Sequence, residues 1–315
     1  MKVREIGGFH VGGRRATISG RPIEERQINF GGPVRKVDLN GDYITGQAYV
    51  QFTCLEAPSS PWPIVFIHGG AMTGVTWETT PDGRPGWQML FLQAGFDAYV
   101  ADAVERGRAG WSPFPEIYAD APVFRTLDEA WEMFRIGPIG GYPKRVTFPE
   151  TRFPAELYDH FAAQFVPRWT SNGAATVDAY LALLQKIGPA IIVAHSQGGN
   201  LACDLATRRP DLIKAVVAVE PAGAGDYDGA AIARAAACPH LVLWGDYIGE
   251  HPTWGVYRAK ADAHAHALRG AGGVADIIDL PAEGVAGNSH MPMSDDNSGE
   301  IAERVIMWLT ERNRL

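Results

Sequence analysis

The sequence predicts an α/β protein with a mostly parallel central sheet, antiparallel strands at its N-terminal side and one insertion folded over it as a cap. Three observations carry this. From residue 64 onward short continuous apolar runs alternate with helical stretches; the chain before that point alternates apolar and polar residues; and the rhythm lapses over 103–175, where aromatics and prolines crowd together. Runs buried on both faces and separated by helices belong to parallel strands joined by right-handed crossovers, whereas period-two segments are half-buried strands.

The elements follow in order. "GFHVGGRRATI" alternates on both sides of Gly12-Gly13, a pair that reads as a hairpin turn, and "DYITGQAYVQFTCL" reads as an antiparallel strand. Next come the strand "PIVFIHG" (63–69), the helix "GWQMLFLQAG" (86–95) and the strand "DAYVAD" (97–102). Beyond the insertion lie the strand "AIIVAHS" (190–196), the helix "GNLACDLATRRP" and the strands "AVVAVEP" (215–221) and "HLVLWGD" (240–246). A helix "VYRAKADAHAHALRGAG", a strand "VADIIDL" (274–280) and a last helix over 299–313 complete the chain, with "SDDN" (294–297) expected to cap that helix. Residues 1–102 and 176–315 thus form the core and 103–175 the cap. Rings such as Trp111, Phe134 and Trp169 in the insertion suit a cover over the sheet end where pockets form. The plainer alternative is that each ring only fastens the insertion to the sheet.

With 315 residues, 46% apolar and 20% charged, the chain suits one large domain. A net charge of −8 and the lack of any basic stripe exclude a nucleic-acid surface and leave a small molecule as the expected partner. Cys54, Cys203 and Cys238 lie far apart with no CxxC or Cys/His spacing, so neither a disulfide framework nor a metal site is expected, and no cofactor is implied. "MKVREIGG" lacks the apolar run of a secretory leader, and no stretch approaches the roughly 20 apolar residues of a membrane span. A cytoplasmic protein is expected, or a periplasmic or secreted one if a leader has been removed. The sequence leaves a homodimer open.

The chemistry begins at Ser196, which ends an apolar strand and is followed at once by "QGGN" opening a helix. A strand-to-helix turn this sharp, the nucleophile elbow, needs small residues two before and two after the serine; here they are Ala194, in place of the usual Gly, and Gly198. A hydroxyl is a weak nucleophile at neutral pH and needs a base oriented by a carboxylate. His290, on the Gly-rich loop "EGVAGNSHMPMSDDN" after the last strand, is the expected base, with His251 its one rival. The helical pair His264 and His266 lies on different helix faces. Backbone donors for the developing oxyanion come from Gly70, in "FIHGGAMTG", and from Gln197, the residue after the nucleophile, with His68 in a structural role. Two carboxylates end successive strands, Glu220 and Asp246, and the pattern leaves both open as the orienting acid. A glutamate closing the apolar run 215–219 does, however, demand a cationic or N–H partner.

Together the strand order, the "HGG" loop, the "AHSQGG" elbow and the C-terminal His resemble the α/β-hydrolase superfamily over residues 60–315. "PWPIVFIHGGAMTGVTWETTPDGRPGW", "HSQGG", "VEPAG" and "GNSHM" are similar to a small group of bacterial carboxylesterases with a Ser-Glu-His triad. That resemblance implies Ser196 as nucleophile, Glu220 as acid and His290 as base, with Asp246 in a turn. Ala222 stands where the group has Gly after Glu-Pro, and Gly70-Ala71 replace bulkier residues. It also implies hydrolysis of a carboxylic ester through an acyl-enzyme. A lactonase, amidase, carbon–carbon hydrolase or acyltransferase would use the same machinery, and a non-catalytic receptor is the reading from another class. Ser196 excludes a carboxylate nucleophile of the halide or epoxide hydrolase type.

Overall fold

The computed structural model describes residues 1–312. Its central sheet has eight strands: β1 (Val3–Ile18), β4 (Gly41–Leu55), β5 (Ile64–Ile67), β6 (Ala98–Asp102), β7 (Ala190–His195), β8 (Ile213–Val219), β9 (His240–Trp244) and β10 (Ala275–Asp279). A separate ribbon pairs β2 (Glu24–Gln27) with β3 (Val34–Val37). The sheet order is β1-β4-β6-β5-β7-β8-β9-β10, and only β4 runs against its neighbours. All other pairings are parallel.

Gly12-Gly13 does not make the expected hairpin. β1 runs straight through the pair and keeps its register with β4, from Val11 opposite Ala48 to Arg14 opposite Thr45. Both glycines, and Gly46 across from them, take positive φ. The glycines are needed for that φ and for a close approach, since a Cβ at Gly12 would lie 2.9 Å from the Ala179 Cα of helix α4 (Gly173–Ile187). A strand lying this close to a helix and a hairpin turn use the same residues, which is why the pattern alone reads as a turn.

The helices flank the sheet: α1 (Trp87–Gln93), α2 (Leu127–Met133), α3 (Tyr158–Ala162), α4, α5 (Gln197–Arg208), α6 (Gly229–Ala235), α7 (Pro252–Gly270) and α8 (Ser298–Arg312). Two apolar clusters form the core, one on each face, and β5, β7 and β8 contribute to both, as runs without alternation should. Between β6 and α4 the chain adds no strand to the sheet. Several of its rings sink into the first cluster: Trp131, Phe134, Phe153, Tyr158, Phe161 and Phe165 join Phe66 of the sheet and Trp77 and Trp87 beside it.

The sheet reverses its winding between β5 and β7, since β6 lies to one side of β5 and β7 to the other. In an open α/β sheet a crevice forms at such a point, beyond the carboxyl ends of the strands. Ile67 pairs with Ala194 there, so the loops leaving β5 and β7 emerge side by side.

Candidate active site

Ser196 stands between β7 and α5 with φ 52° and ψ −117°, a conformation that a non-glycine residue holds only when its surroundings enforce it. Three backbone bonds do so: its N–H donates to the Val219 carbonyl at 3.0 Å, and its own carbonyl accepts from Gly199 and Ala222 at 3.0 Å each. Gly198 lies so close to the β5 loop that a Cβ would meet the His68 carbonyl oxygen at 2.7 Å. The elbow's demand for a small residue is therefore met at a real contact.

Among the described residues the amides of Gly70 and Gln197 find no acceptor, and both residues line the cavity that contains Ser196. Free N–H groups at the start of α5 and in the adjoining loop are what a developing oxyanion needs. His68 holds the loop from behind. Its Nδ1 donates to the Gly69 carbonyl at 2.8 Å and its Nε2 accepts the Ala103 N–H at 3.0 Å, while burial pushes its pKa down to about 4. It is a neutral structural group.

His290 lies in the same cavity, on the loop after β10. Its Nδ1 donates to Glu220 Oε2 at 3.1 Å, which leaves Nε2 as the free basic nitrogen. The resting geometry joins no hydrogen bond between the Ser196 hydroxyl and the imidazole; such bonds often close only around substrate. The ring is clamped between Trp254, with centroids 4.0 Å apart, and Phe134, at 5.6 Å. Its backbone is clamped too: the N–H donates to the Phe134 carbonyl at 2.9 Å, and the carbonyl accepts His195 Nε2 at 2.9 Å. Burial, and then the guanidinium charges of Arg135 and Arg125, hold its pKa well below the ordinary histidine value, so the imidazole is neutral at neutral pH.

Glu220 is fully buried and also adopts positive φ, 51°, at the end of β8. Besides His290 it accepts the Gly245 N–H and, at 2.7 Å, Arg135 Nη2. The sequence called for a cationic or N–H partner and found the imidazole; it missed Arg135. This arginine comes from the insertion, has no exposed surface, donates its Nε to the Asp246 carbonyl at 2.7 Å, and lies 4.9 Å above the Trp254 ring. Asp246 makes no contact with His290. Its carboxylate takes the Tyr247 and Gly287 N–H groups at 2.7 and 3.0 Å and so ties the end of β9 to the histidine loop.

The "SDDN" stretch leads directly into α8, with the Asp295 carbonyl accepting the Ser298 N–H at 3.0 Å, but the buried Asp295 carboxylate turns away: it accepts Ser289 Oγ at 2.7 Å, the Ser289 N–H at 2.8 Å and Asn288 Nδ2 at 2.9 Å, and braces the loop that carries His290. Burial pushes its pKa up to about 7. The rival base His251 sits at the N-terminus of α7, where its Nδ1 accepts the Thr253 N–H at 3.3 Å. His264 packs against Tyr227 and His240.

No family model matches the chain. A solved structure described as a novel bacterial esterase superposes with a TM-score of 0.85 at 32% identity, covering 99% of this chain and 97% of that one. Among curated proteins, a "probable secreted lipase phiG" of a fungal species (strain ATCC 74256) is 29% identical over 331 aligned positions, 87% of this chain and 88% of its own length. Lipase LipV of Mycobacterium tuberculosis (strain ATCC 25618 / H37Rv) is 41% identical over a stretch of 73, which covers 22% of this chain and 27% of that protein. No helix among the described residues is long and apolar enough to cross a membrane.

Proposed function

Since the chain belongs to the α/β-hydrolase family, in the group of the bacterial esterase it resembles along nearly its whole length, we propose that it is a serine carboxylesterase with Ser196, Glu220 and His290 as its triad. The Ser196 oxygen attacks the ester carbonyl carbon while its proton passes to His290 Nε2. The Gly70 and Gln197 N–H groups hold the oxyanion. The carbon–oxygen bond then breaks, the alcohol leaves with the proton from His290, and water repeats the two steps to release the acid and restore the serine. Glu220 keeps the imidazole in the tautomer whose Nε2 is bare and stabilises the imidazolium as it forms. Arg135, by pairing with the carboxylate's other oxygen, holds that buried glutamate in place behind the ring.

One observation supports this reading most: a serine in the strained elbow conformation and a histidine already bonded to a buried glutamate share a cavity with two amides that lack acceptors. A fluorophosphonate should label Ser196, as mass mapping of the adduct would read. Ser196→Ala should lower kcat by a factor of about 10⁴ or more; hydrolysis within about tenfold of the wild type would overturn the assignment.

Residues 103–175 act in this proposal as the cap that shapes the substrate pocket, since Arg125, Met133, Phe134 and Arg168 line the cavity from that segment. Cys54, Cys203 and Cys238 are buried and unpaired, as suits a reducing compartment, and the proposal places the enzyme in the cytoplasm. Cell fractionation tests that location.

A further inference from the structure

The cavity around Ser196 is cationic although the chain carries a net charge of −8. Two arginines of the insertion, Arg125 and Arg168, line it, and no acidic residue does. A short bridge brings them together: the Val123 N–H donates to the Arg168 carbonyl at 2.7 Å and the Arg168 N–H returns the bond to Val123 at 3.0 Å, which sets Arg125 two residues past the bridge. The same strip is tied to the oxyanion loop, because the Val166 N–H donates to the Ala71 carbonyl at 3.0 Å.

Neither charge is fully answered by the protein. Among the described residues no carboxylate lies within 4.0 Å of the Arg168 guanidinium, and its side chain makes no hydrogen bond. Its Nη1 lies beside Gly70, 2.4 Å from where a Cβ would sit, which sets the guanidinium next to the oxyanion donor. Arg125 is 8% exposed and donates one Nη1 bond, of 2.7 Å, to the half-exposed Glu129, while its Nε is buried without a partner. Burial lowers the Arg125 pKa, Glu129 works against it, and the Arg168 charge adds to the lowering. A buried cation beside a half-buried one, with one peripheral carboxylate between them, is an unfinished ion-pair cluster. Guanidinium groups presented this way suit the planar, bidentate shape of a carboxylate.

We propose that Arg125 and Arg168 form an anion subsite and that the natural substrate is an ester bearing a carboxylate near the scissile carbonyl, on either its acyl or its alcohol part. This rests on the esterase reading and names its substrate class. The subsite also explains how the insertion selects substrate with charge, since it offers the cavity arginines and a single ring, Phe134, over which Arg125 lies at 5.2 Å.

Matched ester pairs test it. The 4-nitrophenyl hemiester of glutaric acid against 4-nitrophenyl pentanoate places the charge on the acyl side; acetylated 4-hydroxybenzoate against acetylated 4-methylphenol places it on the alcohol side. In at least one pair the charged member should have the higher kcat/KM by about tenfold or more, the scale of a charge-assisted hydrogen bond. Arg168→Gln and Arg125→Gln should each cut that ratio several-fold, and Arg168→Lys should restore part of it. A fall that is equal for both members of a pair would instead make Arg168 an oxyanion donor and overturn the subsite, as would a ratio near one in both pairs of the wild type. Calorimetric binding of free glutarate to Ser196→Ala needs no turnover. Saturable binding that weakens about tenfold in Ser196→Ala/Arg168→Gln supports the subsite even if the esterase reading fails, and absent binding overturns it even if esters are hydrolysed.

Discussion

The rim of the sheet and the insertion meet at one cavity, yet they are written into the chain in different ways. At the rim, Gly70 lies on the loop after β5 and Ser196, Gln197 and Gly198 at the turn from β7 into α5; the two strands pair directly, Ile67 against Ala194, and the contacts that fix these residues span a few residues or one strand neighbour. In the insertion, Phe134, Arg135, Arg125 and Arg168 reach the same cavity or the groups behind it through contacts with no local period, such as Arg135 to Glu220 across 85 positions. A motif is legible where the backbone itself demands a residue type. A residue that answers a distant charge is not, because many positions could have supplied the same guanidinium.

The contrast is broken most sharply at the carboxylates, where the rim offers two candidates and the insertion favours one. Glu220→Gln should lower kcat by a factor of about 10⁴, because an amide can hold the imidazole in the wrong tautomer and cannot stabilise the imidazolium. Asp246→Asn should stay within about tenfold, since Asp246 bonds backbone N–H groups and not the ring. Steady-state kinetics on a neutral 4-nitrophenyl ester decide it. Reversed magnitudes would return Asp246 to the triad.

A smaller effect should follow at Arg135, on the insertion side. Arg135→Met leaves the fully buried Glu220 without its cation, and removing one partner of a buried pair costs about 3–5 kcal/mol. Chemical denaturation measures that loss, and one below about 1 kcal/mol would show the pair to be dispensable. A merely structural arginine would not move the pH profile. Here the nearby positive charge helps hold the His290 pKa down, so its removal should shift the acid limb of kcat/KM to higher pH.

Much of the fold was legible because burial imposes period: β5, β6, β7, β9 and β10 fall inside the apolar runs expected for them, and β8 starts two residues before its run. The misreadings have the same origin. Gly12-Gly13 carries a true signal for positive φ, but it belongs to a continuous strand lying against α4. "SDDN" carries a true signal for a carboxylate that accepts N–H groups, but Asp295 accepts them from the Ser289 backbone and the Asn288 side chain of the His290 loop. For Glu220 the need for a partner was legible, and its second partner was not. Local chemistry states what a residue requires; tertiary packing chooses who supplies it.

Solution pH should reach both regions at once with a moderate effect. His68, His195, His240 and His290 are all buried, and burial is the first cause that lowers each of their pKa values. Unfolded histidines bind protons near pH 6.5 while the native ones do not, so stability present above that pH is lost as pH falls toward 4. Asp295 opposes the trend, because its carboxyl, raised to about 7, binds a proton in the native state that the unfolded chain binds only near 3.8. Burial likewise lowers His251 and His264 and raises Glu105, so six histidines against two carboxyls set the sign: Tm at pH 4.5 should lie below Tm at pH 7.5. In Asp295→Asn the drop should be steeper, since the opposing proton uptake is gone.

The smallest effect separates the rings of the insertion from one another. Trp131 has no exposed surface, meets Tyr158 edge to face at 4.9 Å, and donates its Nε1 to the Val146 carbonyl at 3.0 Å. Phe124, seven residues earlier, is 60% exposed and takes part in neither core cluster. Its neighbour Val123 carries the backbone bridge to Arg168, and that bridge uses no side chain. Phe124→Ala should therefore change stability by no more than about 0.5 kcal/mol, against about 3–5 kcal/mol for Trp131→Ala. Denaturation midpoints of the two variants compare them directly. If Phe124→Ala keeps its stability but alters the preference between charged and neutral esters, the strip that holds the arginines is set by its outer face as well as by its backbone.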